Sequence, residues 1–109
     1  MYGDTEVMRR RADALREQAS DLRAAADRLV AQADAVAWSG RAADSMRDRI
    51  RERSSHLRDV AAAHDDAADS LDAHVAEVDR LKEAIAEVER RVGTLLADAL
   101  SAPREAPIT

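Results

Sequence analysis

The sequence predicts an all-α protein, an antiparallel helical hairpin whose second helix is much longer than the first. Three observations predict this class: an alanine-rich composition, apolar residues at helical spacing, and a single pause in that spacing at Trp38-Ser39-Gly40. Of the 50 apolar residues 25 are alanine and none is phenylalanine, and the 109 residues include only two prolines and three glycines. Long helices that pack through narrow apolar stripes fit this composition, whereas a sheet protein does not.

The first helix is predicted from about residue 5 to about residue 37, with Asp4 or Thr5 as its N-cap. Its apolar residues alternate between large and small at spacings of four and three, which is typical of a close-packed helix–helix stripe. The large residues are Met8, Leu15, Leu22, Leu29 and Val36, and the small ones are Ala12, Ala19, Ala26 and Ala33.

The turn is predicted at residues 38–40, between the two helical patterns. Gly40 supplies a residue free of the steric constraint of a Cβ atom, and the Ser39 hydroxyl can cap the second helix. Trp38 has two interpretations that are compatible with each other. It is either a hydrophobic plug over the open end of the hairpin or a docking element at its tip.

The second helix is predicted from about residue 41 to about residue 101, and a tail over 102–109, with Pro103 and Pro107, is predicted to be disordered. Asp65, Asp66, Asp69 and Ser70 have weak helix propensity and could permit a break, but the apolar spacing keeps its phase through them, which favours one helix. Of its 17 seam positions 14 are apolar. The seam is Ala43, Met46, Ile50, Arg53, Leu57, Val60, His64, Ala67, Leu71, His74, Val78, Leu81, Ile85, Val88, Val92, Leu95 and Ala99.

Folding the chain at the turn sets the two seams against each other in one register. Leu22 is predicted to face Leu57, Ala19 to face Val60, and Ala26 to face Arg53, whose aliphatic stem would lie over the small alanine. The whole, residues 1–101, is predicted as a single helical-hairpin domain.

The second helix continues after the first has run out, so residues 75–101 have no counterpart in helix one. They carry an apolar stripe, the candidate partner-binding residues Val78, Leu81, Ile85, Val88, Val92 and Leu95. Two interpretations stay open at this point. After a break near Asp65 to Ser70 the helix could fold back and bury the stripe in a three-helix bundle, or another chain could cover it.

Several functional classes are disfavoured by the residues present. The chain has no cysteine, which excludes disulfides and thiolate metal sites, and no nucleophile stands beside a base, so we expect no enzyme, no metal site and no cofactor. Net charge is −5, distributed as +1 over residues 1–60 and −6 over 61–109, which disfavours nucleic acid as a partner. We expect no membrane span and no Sec-type signal peptide.

Three polar patterns have modest interpretations. His64 and His74 lie on the seam ten residues apart, which is the wrong spacing for metal ligands of one helix and is typical of polar residues that fix register, with a pH-sensitive contact as the alternative. Asp65, Asp69 and Asp72 share a helical face, and such rows are usually solvated. The run from Arg47 to Arg53 interleaves acids with arginines, which indicates a surface of ion pairs.

Trp38-Ser39-Gly40 between two helices, in a chain of about a hundred residues, resembles the WXG family of small type VII (ESX) secretion substrates, the ESAT-like helical hairpins. The likeness covers roughly residues 5–75, with Ala42, Ala43 and Met46 standing where many members have small residues and then an aromatic. Two features depart from the family. The second helix continues over residues 75–101 after the first has run out. Exported pairs carry a Tyr-x-x-x-Asp/Glu signal after the second helix on one partner, and the only tyrosine here is Tyr2.

The resemblance implies a protein that binds other helices as a substrate of a type VII system or the partner of one. We expect a dimer with a four-helix core, formed with a second copy or with another WXG-type protein, and the resemblance adds a type VII secretion ATPase as a possible partner. The protein would then be secreted or stay in the cytoplasm bound to a signal-bearing partner. The alternative is a cytoplasmic coiled-coil scaffold or adaptor in which Trp38-Ser39-Gly40 is only a good turn.

Overall fold

The computed structural model describes residues 3–101, which form two long helices, α1 (Asp4–Ala35) and α2 (Arg41–Ser101). The predicted all-helical class is confirmed, and the described part of the chain contains no strand. The predicted disordered tail, 102–109, lies outside the described residues. Contacts divide the chain into two compact units, the first ending at Val75 and the second beginning at Ala76.

Helix α1 begins at Asp4 because the preceding Gly3, in an extended conformation, accepts the first backbone hydrogen bonds. The Gly3 carbonyl accepts from the N–H groups of Glu6 and Val7 at 3.1 and 3.2 Å, and no side chain caps this end. The prediction of Asp4 or Thr5 as N-cap was therefore wrong, since both residues lie inside the helix. Asp4 and Glu6 still fit the first turn, where negative charge complements the helix dipole.

Helix α2 begins after Gly40, whose φ of 107° lies in the region that favours glycine. The Gly40 carbonyl accepts the N–H of Asp44 at 3.0 Å, whereas the Ser39 hydroxyl has no hydrogen bond within residues 3–101. Gly40 therefore occupies the cap position that the sequence assigned to Ser39. The helix runs without interruption through Asp65 to Ser70, so the alternative with a break there is wrong.

In the first unit, α1 and α2 pack antiparallel through a line of small residues. The buried residues of α1 are Thr5, Ala12, Ala19, Ala26 and Ala33, and those of α2 are Ala43, Ser54, Ala61, Ala68 and Val75. Apart from Ala43, both series repeat every seventh residue. No large side chain in the described chain is fully buried. Small side chains let the two backbones approach closely, so that dispersion contacts accumulate along the line.

Two hydrogen bonds across the hairpin show its register. The Ser54 hydroxyl donates to the Ala26 carbonyl at 3.2 Å, and one heptad nearer the turn the Arg47 Nε donates to the Ala33 carbonyl at 3.5 Å. The prediction that Arg53 faces Ala26 was therefore wrong by one residue. Val75, which the sequence reasoning placed off the seam, is buried at 4% exposure.

Candidate helix-binding surfaces

The two sides of the hairpin differ in chemistry because of where each side chain lies relative to the buried line. Each residue turns an α-helix by about 100°, so residues three and four after a buried position lie on opposite sides of it. After Ala12, for example, Leu15 points to one side and Arg16 to the other. The same alternation recurs along most of both helices, with large apolar residues at the third position and charged residues at the fourth. The exceptions are Val30, four residues after Ala26, and His64, three after Ala61.

The charged side is an ion-paired face on which arginines of one helix meet aspartates of the other. Arg16 contacts Asp69 at 2.8 Å and Asp72 at 2.6 Å, and Arg23 contacts Asp65 at 2.6 Å. Nearer the turn the direction reverses, since α2 supplies the arginines in the pairs Arg51–Asp34 and Arg58–Asp27.

These pairs give the row of acids Asp65, Asp69 and Asp72, predicted to be a solvated face, partners on the other helix. Asp65, Asp69 and Asp72 point at guanidinium groups across the hairpin, and hydrogen bonding to Asp69 and then to Asp72 raises the pKa of Arg16 above its ordinary value. Among residues 3–101, no group of three histidines or acids is placed to hold a metal ion. Each pair is partly exposed and contributes modestly to stability, so the main effect of the row is to fix the register.

The opposite side is an apolar face that the hairpin covers only in part. Its members are all half-buried: Met8, Leu15, Leu22, Leu29, Ile50, Leu57, Val60, His64 and Leu71. Leu15 of α1 and Leu71 of α2 line one shallow hollow of this face together. A row of large apolar side chains that runs along both helices and stays open on its outer side is a surface suited to another helix.

The two seam histidines differ in their surroundings. The ring Nδ1 of His64 lies 2.8 Å from the Val60 carbonyl of its own helix, and the ring is half-buried in the apolar face. His74 is exposed. His64 therefore has a local partner on the apolar face, in agreement with a polar residue tolerated there.

At the tip of the hairpin, Trp38 borders a hollow instead of filling it. Its side chain is 60% exposed, so the prediction of a hydrophobic plug was wrong. The hollow, of about 190 Å³, lies between α1 and α2 and includes Leu29, Met46 and Ile50 in its lining. Of the two interpretations of Trp38, only an open docking element agrees with this exposure.

Arg47 holds the turn together, a role that sequence reasoning missed. Its Nη2 donates to the carbonyls of Val36 at 2.8 Å and Trp38 at 2.6 Å, which are backbone acceptors left free where α1 ends. The sequence showed only a charged residue in an arginine-rich run. The available signal was its place in the second turn of α2, within reach of the last carbonyls of α1.

The second unit carries the predicted apolar stripe on a single helix, which we call the C-terminal segment (residues 76–101). Val78 is half-buried, and the other five members of the stripe, Leu81, Ile85, Val88, Val92 and Leu95, are between 49 and 68% exposed. Charges beside the stripe pair within the segment itself, as in Arg80–Glu77 and Arg90–Glu87. Five neighbouring large apolar side chains of one helix are therefore exposed to water, which forms a continuous apolar patch and not scattered single residues.

Within residues 3–101, neither helix contains a stretch long and apolar enough to span a membrane. Comparisons with protein-family models, with curated proteins and with solved structures found no match for this chain. The resemblance to the WXG family therefore depends on Trp38-Ser39-Gly40 and its place at the turn between two helices.

Proposed function

We propose that this protein is a WXG-type helical hairpin that acts by binding other helices, as a substrate of a type VII (ESX) secretion system or as the partner of one. The observation that carries the proposal is the exposed part of the stripe, from Leu81 to Leu95. The position of Trp38-Ser39-Gly40 at the only connection between two described helices, with Gly40 at positive φ, supports the family assignment.

The partner surface supports a dimer with a four-helix core, formed with a second copy or with another WXG-type chain. Complete burial of a leucine, isoleucine or valine side chain contributes about 1.5–3 kcal/mol relative to full exposure. Five stripe residues that are about half-exposed or more therefore offer several kcal/mol to any helix that covers them. The half-buried apolar face of the hairpin adds to that total.

Binding and not catalysis is proposed because the hollow at the tip of the hairpin is open and mainly apolar. The hollow beside Trp38 is lined mainly by aliphatic side chains, with Gln32 and Arg47 as its polar members. The Arg47 guanidinium is already engaged with backbone carbonyls. A hairpin of this kind provides surfaces for contact and no enclosed space that excludes water from a reaction.

The second candidate function is a cytoplasmic coiled-coil scaffold or adaptor, which would use the same stripe. One sequence observation favours it: the only tyrosine among residues 1–109 is Tyr2, so none of these residues forms a Tyr-x-x-x-Asp/Glu motif. Under the first proposal a partner supplies that signal, whereas a scaffold needs none.

Detection of the tagged protein in culture filtrate tests the proposal, in a host with a type VII system and in the same host lacking the secretion ATPase. We expect export that depends on the ATPase and that is lost in the variant Leu81→Asp/Val88→Asp, since two carboxylates on the stripe block pairing. The matched control, Thr94→Asp/Ala97→Asp, adds the same charge to exposed positions off the stripe and should be exported.

Efficient export of the stripe variant without a partner would contradict the proposal. Absence of the wild-type protein from the filtrate in both hosts would favour the scaffold.

A further inference from the structure

We propose that the apolar stripe of one copy lies antiparallel along the apolar face of a second copy, against residues 50–67 of its α2. This inference depends on the proposed helix-binding function and deepens it by naming the partner and the register. The stripe and the face are both parts of one seam, which repeats at spacings of three and four along α2. Two such seams pair side by side when their helices run antiparallel.

The pairing has a specific register, in which facing positions of the two copies sum to 145. The stripe residues Val78, Leu81, Ile85, Val88, Val92 and Leu95 then face Ala67, His64, Val60, Leu57, Arg53 and Ile50, in that order. Four of the six pairs are wholly apolar. Three of the central four layers place Leu81, Ile85 and Val88 against half-buried residues of the face, and the fourth places Val92 against the exposed Arg53.

Charges beside the two surfaces select this register. Arg49 and Arg53 have no carboxylate partner within residues 3–101, and neither Glu89 nor Asp98 has a cationic partner there. Asp98 lies three residues after Leu95, and Arg49 lies one residue before Ile50. In the proposed register Leu95 faces Ile50, so Asp98 of one copy flanks that pair beside Arg49 of the other. Glu89 lies one turn before Val92, which faces Arg53, and is therefore within reach of Arg53.

Neighbouring registers bring like charges together. A slip of one heptad in one direction sets Arg49 beside Arg91, and a slip in the other direction sets Glu77 beside Glu77 of the second copy. Like charges at flanking positions oppose pairing. The ion-paired face cannot substitute as the docking side, because its arginines already contact aspartates of their own chain.

A second copy fits this surface better than an unrelated helix because the chain itself carries both halves of the contact. A twofold axis repeats the contact, so one mode of association covers two stripes and pairs both sets of charges. The stripe and the face would then be complementary parts of one isologous interface.

Disulfide cross-linking tests the register, since the chain has no cysteine of its own. Val60→Cys and Ile85→Cys would be placed in two separately tagged copies, mixed and oxidised under mild conditions. We expect the disulfide between positions 60 and 85 to form at least about tenfold more than either same-site disulfide, because the interface holds the two thiols together. Ala62→Cys with Glu83→Cys is the matched control: the positions also sum to 145, but both are exposed on the opposite side of α2.

The outcomes separate this inference from the proposed function. If the 85–85 disulfide dominates, the segments pair with each other and the inference is overturned while helix binding stands. If sedimentation shows a monomer at tens of micromolar and export requires a different partner, the second copy is overturned and the secretion proposal stands.

A charge exchange provides an independent readout that leaves the apolar contact intact. Arg49→Asp alone and Asp98→Arg alone should each weaken the dimer by roughly threefold to tenfold, because the twofold axis repeats an exposed ion pair. Both changes in one chain should restore the affinity. Failure of the double variant to recover would overturn the register.

Discussion

The hairpin of residues 3–75 and the C-terminal segment of residues 76–101 use their residues in opposite ways. The hairpin buries alanines and pairs its charges from one helix to the other. The C-terminal segment exposes leucine, isoleucine and valine and pairs its charges within its own helix. Large apolar side chains therefore either flank the buried line of the hairpin or lie exposed on the C-terminal segment. This difference indicates that small residues build the fold and large ones are available for association.

The physical reason lies in the distance between helix axes. Ala12, Ala19 and Ala61 are fully buried because two helices in close contact leave room only for a methyl group between them. Leucines and isoleucines cannot enter that line, so they flank it and stay half-buried. A hairpin of two helices buries one narrow line, and covering the flanks requires further helices.

The largest expected effect comes from charging the stripe. Leu81→Asp/Val88→Asp should weaken association at least about 100-fold, since each change removes apolar burial and places a carboxylate in the interface. The hairpin should stay folded, because its contacts lie in the other unit. Sedimentation equilibrium measures the first effect and far-UV circular dichroism the second.

Thr94→Asp/Ala97→Asp is the control for added charge, and it should leave the dimer intact. Should both double variants dissociate equally, net charge and not the stripe would account for the loss, and the contrast between the two regions would lose its functional meaning.

Enlarging a buried alanine tests the other half of the contrast. Ala19→Leu should destabilise the hairpin by about 1–3 kcal/mol, because a leucine overfills the line between α1 and α2. Ala24→Leu makes the same change at an exposed position of α1 and should have little effect. Urea unfolding followed by circular dichroism gives both values, and equal stability of the two variants would show that the alanine line is not closely packed.

The sequence predicted the helices and their connection but not their exact register. The spacing of the apolar residues and the scarcity of proline and glycine predict both helices, the turn and the continuity of α2. The predicted register was wrong by one residue because the large residues Ile50, Leu57 and Leu71 dominate the apolar pattern of α2. The contact instead uses Ser54, Ala61, Ala68 and Val75, a weaker pattern whose seven-residue repeat was present in the sequence.

The tip was less predictable than the helices. The glycine at positive φ could be anticipated, since only one glycine stands at the pause in the pattern. The hydrogen bonds from Arg47 to the carbonyls of Val36 and Trp38 could not, because they depend on where a long side chain meets the end of another helix. The exposure of Trp38 likewise follows from the path of residues 36–40 and not from its own hydrophobicity.

The turn offers a smaller effect that separates backbone strain from packing. Gly40→Val should destabilise by about 1–2 kcal/mol, because a β-branched residue at φ 107° is strained even though its Cβ would meet nothing within 4 Å. Gly93→Ala, also in open space but inside α2, should instead stabilise its helix by about 0.5–1 kcal/mol. Thermal unfolding should therefore show a lower midpoint for Gly40→Val and no loss of stability for Gly93→Ala, and an unchanged midpoint for Gly40→Val would contradict the conformation of Gly40.

The smallest expected effect distinguishes charges that join two helices from charges within one. In a double-mutant cycle, Arg23→Gln and Asp65→Asn should show a coupling of about 0.2–1 kcal/mol in hairpin stability, the range for partly exposed pairs. The same cycle on Arg90 and Glu87 should show no coupling in the stability of the hairpin, because that pair lies in the C-terminal segment. Raising the salt concentration should reduce the Arg23–Asp65 coupling, since mobile ions screen exposed charges. Urea unfolding in low and high salt measures the coupling. If it is absent in both, the ion pairs form as a result of the helix register and do not stabilise it.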